Sequence, residues 1–174
     1  FWLPEDTIEK RQNDTIYGKW VEDGYIVKTG GNQADYGVVK KHIHEMHEAH
    51  NVKGVYFDQW NAYDIISQLT EEGITAVIVR QTFPNMTEPL NWIERAVSSR
   101  ERVFEIDENP VLLWMFRNIV LATNSDGAIR PNKEKSADKI DGISASATAI
   151  FGHITQPPPV SSYLLEEDSE LLKW

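Results

Sequence analysis

The sequence predicts an α/β domain built on a mixed sheet. Short β-branched runs alternate with amphipathic helical patterns along the chain, the order expected of strands crossed by helices. The run ITAVIVRQ (74–81) is almost continuously apolar, as a strand buried on both faces of a parallel or mixed sheet requires. Two further strand-like runs flank an Asp126-Gly127 turn and read as a hairpin. At 174 residues the chain is long enough for one domain with a substantial core and short for two.

Each element can be justified in order. Residues 6–23 read as one or two short helices ending at Gly24, and YIVKT (25–29) alternates as a strand closed by Gly30-Gly31. From Asp35, a predicted cap, Val39, Ile43, Met46 and His50 fall on one helical face. VKGVYF (52–57) is β-branched and strand-like. Asn61 is the predicted cap of a helix running through Glu72, with Asp64 in a capping-box-like position. Its buried stripe is Ile65, Ile66 and Leu69, and Gly73 ends it.

After the strand at 74–81, Thr87 is predicted to open a helix with Leu90, Ile93 and Val97 on one face. Asn109-Pro110 starts the next, because proline suits the first helical position. NIVLAT (118–123) and AIRP (128–131) are the hairpin strands. Ser136 is the expected cap of the last long helix, with Ile140, Ile143, Ala147, Ile150 and Ile154 as its apolar face. The prolines at 157–159 stop it. The acidic remainder of 157–174 reads as either a short amphipathic helix or a mobile tail.

Composition narrows the chemistry. There is no cysteine, which excludes disulfides and thiolate metal sites. No apolar run approaches the roughly 18–20 residues that span a bilayer, so no membrane partner is expected. The opening FWLPEDT lacks the regions of a signal peptide. The net charge of −10, from 27 acidic and 17 basic residues, argues against strong polyanion binding by the chain as a whole. Two local basic clusters stand against that background: Arg95, Arg100 and Arg102, and Arg130, Lys133, Lys135 and Lys139. Each reads as a solvated face or as a DNA contact.

The tract HIHEMHEAH (42–50) holds four of the five histidines but has poor metal spacing. A helical zinc pair needs histidines at i and i+4, whereas here the i+4 positions are Met46, Glu48 and Asn51. At 100° per residue the rings fan around the helix, which favours a structural or exposed role.

Asp58, in VYFDQW (55–60), is the first polar residue after its strand. Functional groups in open α/β sheets collect at such carboxyl ends. A simple turn or cap role is the competing reading. Asp141 lies in the first turns of the last helix and shares a face with Ala145 and Thr148, small residues that permit close approach to a sheet. Two carboxylates converging from a strand end and a helix would make a hard oxygen site suited to Mg²⁺ or Mn²⁺.

The segments FWLPEDTIEKR, VYFDQWNAYDIISQLTEEGI, VIVRQTFPNMTEP and NPVLLWMFRNIVLATNSDGAIRPNKEKSADKIDGISASATAI occur in this order. Together they resemble the C-terminal nuclease domain of the large terminase subunit of tailed bacteriophages, over most of residues 1–152. The resemblance implies a ribonuclease-H-like fold over residues 1–156, followed by the tail at 157–174. It implies an endonuclease that cuts concatemeric viral DNA during packaging, with Mg²⁺ or Mn²⁺ in a two-metal site.

Asp58 and Asp141 map onto two of the family's three acidic ligands, and Lys133, Lys135 and Lys139 are candidate contacts to the DNA backbone. The resemblance further implies double-stranded DNA, portal protein and the small terminase subunit as partners, in the bacterial host cytoplasm at the procapsid. The family's remaining acidic residue lies on a strand ahead of Phe1, and no G-x-x-x-x-G-K-S/T motif of its ATPase motor occurs here. The chain therefore reads as an N-terminally truncated nuclease domain, from a fragment, a prophage product or a designed one. Asp107 or Glu108 could supply a compensating oxygen. A missing strand would leave sheet edges open to rearrangement or dimerisation.

Two other functions fit less of the pattern. One is a catalytically silent docking module that binds portal or another packaging protein through the acidic segment 166–174. The other is a recombinase or resolvase of the same ribonuclease-H-like group.

Overall fold

The computed structural model describes residues 1–10, 15–59, 62–99 and 109–155. Strand β1 (Trp2–Pro4) runs directly into α1 (Glu5–Lys10), whose acidic first turn suits the positive end of the helix dipole. Helix α2 (Thr15–Glu22) ends at Gly24, which takes φ +80° as the usual left-handed stop. The chain then turns back, with the Trp20 carbonyl accepting from Tyr25 N and Ile26 N at 2.8 and 3.1 Å. Strand β2 (Val27–Thr29) pairs parallel with β1, with Leu3 opposite Lys28.

Helix α3 (Tyr36–Ala49) is capped as expected: Asp35 Oδ1 accepts from Gly37 N at 2.8 Å and Val38 N at 3.4 Å. Strand β3 (Val55–Phe57), helix α4 (Tyr63–Glu71) and strand β4 (Ala76–Ile78) follow. β3 and β4 are parallel, and Phe57 opposite Ile78 brings their carboxyl ends level. The two faces of this pair differ. Val55, Phe57 and Ala76 pack against Ile65 and Leu69 of α4 and Ile43 of α3, while Tyr56 and Val79 join the larger core on the other side.

That larger core is made by α5 (Phe83–Ser98), α6 (Pro110–Asn118) and α7 (Asp141–Thr155). Asn109 Oδ1 caps α6 by accepting from Val111 N and Leu112 N, and Tyr17, Trp20 and Trp114 form an edge-on aromatic cluster that ties α2 to α6. β5 (Leu121–Thr123) and β6 (Ile129–Pro131) form the expected antiparallel hairpin. Asn124 Oδ1 braces its turn by accepting from Asp126 N and Ala128 N, and Gly127 takes φ +80°. The result is helices α3 and α4 on one side of β3–β4, with α5 and α7 on the other.

Helix α7 comes unusually close to its neighbours. A Cβ on Gly142 would lie 2.9 Å from both Leu112 Cδ1 and Met115 Sδ, and one on Gly152 would lie 2.2 Å from Tyr56 Cζ. The Gly142 amide also donates to Met115 Sδ at 3.0 Å. Close approach through small residues was expected on this helix at Ala145 and Thr148: Thr148 is buried, Ala145 is exposed, and Gly142, Ala147 and Gly152 join the buried set.

Several expected boundaries and faces move. The residue preceding α4 is Ala62, buried and making no side-chain cap bond; Asn61 lies outside the described residues. α5 begins one turn before Thr87, at Phe83-Pro84, where proline needs no N–H partner. Thr87 is an interior residue whose hydroxyl lies 2.7 Å from the Phe83 carbonyl. Val97, Met46 and Ile154, assigned to buried stripes, are exposed.

Ser136 does not cap α7, which starts at Asp141. Its hydroxyl instead donates to the Asn132 carbonyl and accepts from Val120 N, tying the preceding turn to the hairpin. The core strand expected at 74–81 is shorter, and Val77 is exposed, so β4 is not buried on both faces throughout. The prolines at 157–159 and the tail at 157–174 lie outside the described residues.

Helix α3 is fastened to α4 by polar bonds. Lys40 Nζ lies 2.6 Å from Glu72 Oε1 and donates to Gln68 at 3.1 Å, while His44 Nε2 meets Glu72 Oε2 at 2.7 Å. The hydrogen bond from Lys40, joined by His44, holds the Glu72 carboxyl below its ordinary range. A depressed carboxylate stabilises the fold above its unfolded pKa, and that contribution is lost as pH falls through the folded value. Glu72→Gln is therefore expected to melt below the parent at about pH 5.5, with the gap closing toward about pH 3. A pH series of thermal melts measures this, and a gap that persists unchanged in acid would contradict it.

Gly152→Ala is expected to lower stability by about 1–3 kcal/mol, overriding alanine's better helix propensity, because the methyl has no room beside Tyr56. Urea unfolding measures the loss, and adding Tyr56→Leu should recover part of it. Parent-like stability of the single variant would contradict the close approach of α7 to β3.

Candidate functional site

Asp58 leaves the end of β3 half-buried. Its Oδ1 accepts from the Gln59 amide at 2.7 Å and its Oδ2 accepts from Gln81 Nε2 at 3.0 Å. Gln81 can reach because the parallel register brings the chain leaving β4 alongside the chain leaving β3. Each carboxylate oxygen thus meets one fixed donor and keeps a lone pair for another ligand. Asp58 does not cap α4, whose preceding residue is Ala62.

The carboxylate opens into a cleft of about 800 Å³. One wall is Asp58–Thr82 territory, made by Gln59, Arg80, Gln81 and Thr82, and the other is the exit of the hairpin, Arg130 to Glu134. The hairpin is held in place through Thr87, whose Oγ1 accepts from Ile129 N at 3.0 Å. Next along the strand, the Arg130 guanidinium lies over the Phe83 ring, 4.9 Å from its centroid. Arg80, Arg130 and Lys133 offset Asp58 and Glu134, so the cleft carries mixed charge in an otherwise acidic chain.

Asp141, exposed on the first turn of α7, lines a smaller neighbouring cleft of about 330 Å³ with Ser136, Asp138 and Lys139. Lys133 lines both clefts, and its Nζ lies 3.2 Å from Asp141 Oδ1. The two predicted aspartates are therefore connected through one lysine and open into adjacent clefts. Lys139 lines the smaller one, whereas Lys135 lines neither and contributes its backbone amide to Asn132 Oδ1. Asp107, Glu108, Arg100 and Arg102 lie outside the described residues, and Arg95 pairs with Glu88 at 2.7 Å.

The histidine tract makes structural contacts. Trp2 Nε1 donates to His42 Nδ1 at 2.9 Å, His44 meets Glu72, and His47 and His50 are exposed. Among the described residues no three His, Asp or Glu side chains converge as a metal-binding group.

Sequence reasoning missed Gln81, Arg80, Asn132 and Glu134 as parts of the cleft. A signal existed for the first two: Arg80-Gln81 directly follows the strongest apolar run, so the strand-end rule that drew attention to Asp58 applies equally there. Asn132 and Glu134 arrive through the hairpin's tertiary placement, which no local pattern reports.

Comparison with known proteins places this geometry in a family. Residues 3–155 match the family described as terminase large subunit, endonuclease domain. Protein YmfN of Escherichia coli strain K12 is 30% identical over 158 residues, 86% of this chain and 34% of that protein. The terminase large subunit of Enterobacteria phage HK97 is 27% identical over 163 residues, 90% of this chain and 32% of its own length.

The crystal structure of the HK97 bacteriophage large terminase superposes with a TM-score of 0.76 at 24% identity, covering 87% of this chain and 32% of that one. The fold is thereby the mixed α/β, ribonuclease-H-like arrangement expected from the sequence. The chain spans about a third of the length of these relatives. It belongs to the family of terminase large-subunit endonuclease domains.

Proposed function

We propose that this domain is a divalent-metal-dependent endonuclease that hydrolyses phosphodiester bonds of double-stranded DNA, cutting concatemeric viral DNA during packaging. The observation that carries the reading is Asp58: within a domain of this family, a half-buried carboxylate ends β3 in a cleft lined with arginine, lysine and amide groups. The proposed setting is the bacterial host cytoplasm at the procapsid, with portal protein and the small terminase subunit as partners of the longer protein.

Mg²⁺ or Mn²⁺ is the ion this reading implies, and the donor chemistry suits it. Both ions prefer hard oxygens, and Mg²⁺ is commonly held by one or two carboxylates, waters and substrate phosphate rather than a full protein cage. Asp58 and Asp141 would hold the ion; when bound, it lowers the cost of deprotonating the attacking water and offsets charge at the leaving oxygen.

The chain's own residues do the rest. Gln81 and the Gln59 amide fix the orientation of the Asp58 carboxylate, as outer partners of ligands commonly do. Lys133 offsets the Asp141 charge and, with Lys139 and Lys135, is proposed to contact the DNA backbone. The acidic net charge is tolerable because the motor and other packaging proteins would share the task of holding DNA.

Plasmid nicking in Mg²⁺ and in Mn²⁺ tests this. Asp58→Asn and Asp141→Asn are each expected to reduce nicking by more than about 100-fold, and Gln81→Leu by about 10–100-fold, with circular dichroism unchanged. Full activity in Asp58→Asn would sink the assignment. A folded parent that never nicks with either ion would favour the docking module instead.

A further inference from the structure

We propose that Arg80 and Arg130 form a clamp for one backbone phosphate of duplex DNA at the Asp58 cleft, an inference that rests on the nuclease reading above. Both arginines line the same cleft, Arg80 from the chain leaving β4 and Arg130 from β6 of the hairpin. Among the described residues neither Arg80 nor Arg130 has a carboxylate partner, a property shared with Lys19, Lys53, Arg117, Lys135 and Lys139; the two arginines differ in lining one cleft together. Two arginines in one cleft, neither ion-paired with the Asp58 or Glu134 that share it, favour an anionic ligand from outside.

The Arg80 backbone and the Arg130 side chain are held before any ligand arrives. The Arg80 carbonyl accepts from Thr82 N at 2.8 Å and Asn85 Nδ2 at 2.9 Å, which fixes its backbone at the start of α5. Arg130 follows Ile129, whose amide is bonded to Thr87, and its guanidinium rests on the Phe83 ring. For Arg130, less side-chain entropy is then lost on binding. Arginine suits the task better than lysine, because its planar fork matches two oxygens of a phosphate. Asp58 and Glu134 in the same cleft would repel an unaccompanied phosphate, so the clamp also sets where along the strand the backbone can approach.

Fluorescence anisotropy with a labelled DNA duplex, in EDTA and over a series of salt concentrations, tests the clamp using the full chain. Arg80→Gln and Arg130→Gln should each weaken binding, and the double variant should reduce the slope of log K against log salt by about 1, as losing one neutralised phosphate requires. Arg117→Gln, an exposed α6 arginine outside the cleft, controls for bulk charge and should leave the slope unchanged. Plasmid nicking by the parent and Asp58→Asn is run alongside. Parent-like affinity and slope in the double variant, or an equal loss in Arg117→Gln, would overturn the clamp even if nicking depends on Asp58. Loss of binding in the arginine variants of a folded parent that never nicks would leave the phosphate site standing and remove the nuclease reading.

Discussion

The structure depends on how closely α7 can lie against its neighbours. Gly152 admits the Tyr56 ring where a methyl would overlap it, and Gly142 lets the first turn sit on Leu112 and Met115. Interiors are packed like crystals, so displacing a helix to admit one methyl displaces everything seated on it. Here that includes β3 through Tyr56, α6 through Met115 and the first-turn carboxylate of Asp141. Tyr56 is two residues ahead of Asp58, and Gly142 is next to Asp141. The packing that stabilises the domain therefore also sets the positions of both candidate carboxylates.

The cleft follows from two further placements. Parallel pairing of β3 with β4 brings Gln81 within reach of Asp58, and Thr87 anchors the hairpin to α5 so that Arg130 faces the same space. Neither anchor is charged, and neither is exposed. On the proposed reading, the mixed charge of the cleft serves a hard cation and a phosphate together, each reducing the repulsion that the other alone would meet.

Much of this was legible from local pattern. Asp35 and Asn109 cap their helices, glycines 24, 73 and 127 take positive φ where turns were expected, and the hairpin forms at Asp126-Gly127. These are short-range signals with local physical causes. The misses concern residues whose role is set by distant partners. Thr87 looked like a helix start but bonds to a strand 42 positions away, and Ser136 looked like a cap but bonds to Val120. Met46 and Val97 fit a helical stripe yet face solvent, because the stripe of a helix is buried only as far as its neighbours extend. Asp58 was recognisable from its strand end, whereas its tie to Gln81 and the lysine link from its cleft to Asp141 exist only in three dimensions.

The central claim is that Asp58 anchors a hard-metal site. A crystal structure of the chain soaked with Mn²⁺, located by its anomalous signal, tests this most directly. The account predicts manganese on the Asp58 carboxylate in the cleft walled by Gln81 and Arg130. Manganese bound instead along the histidines at 42–50, with none at Asp58, would contradict it.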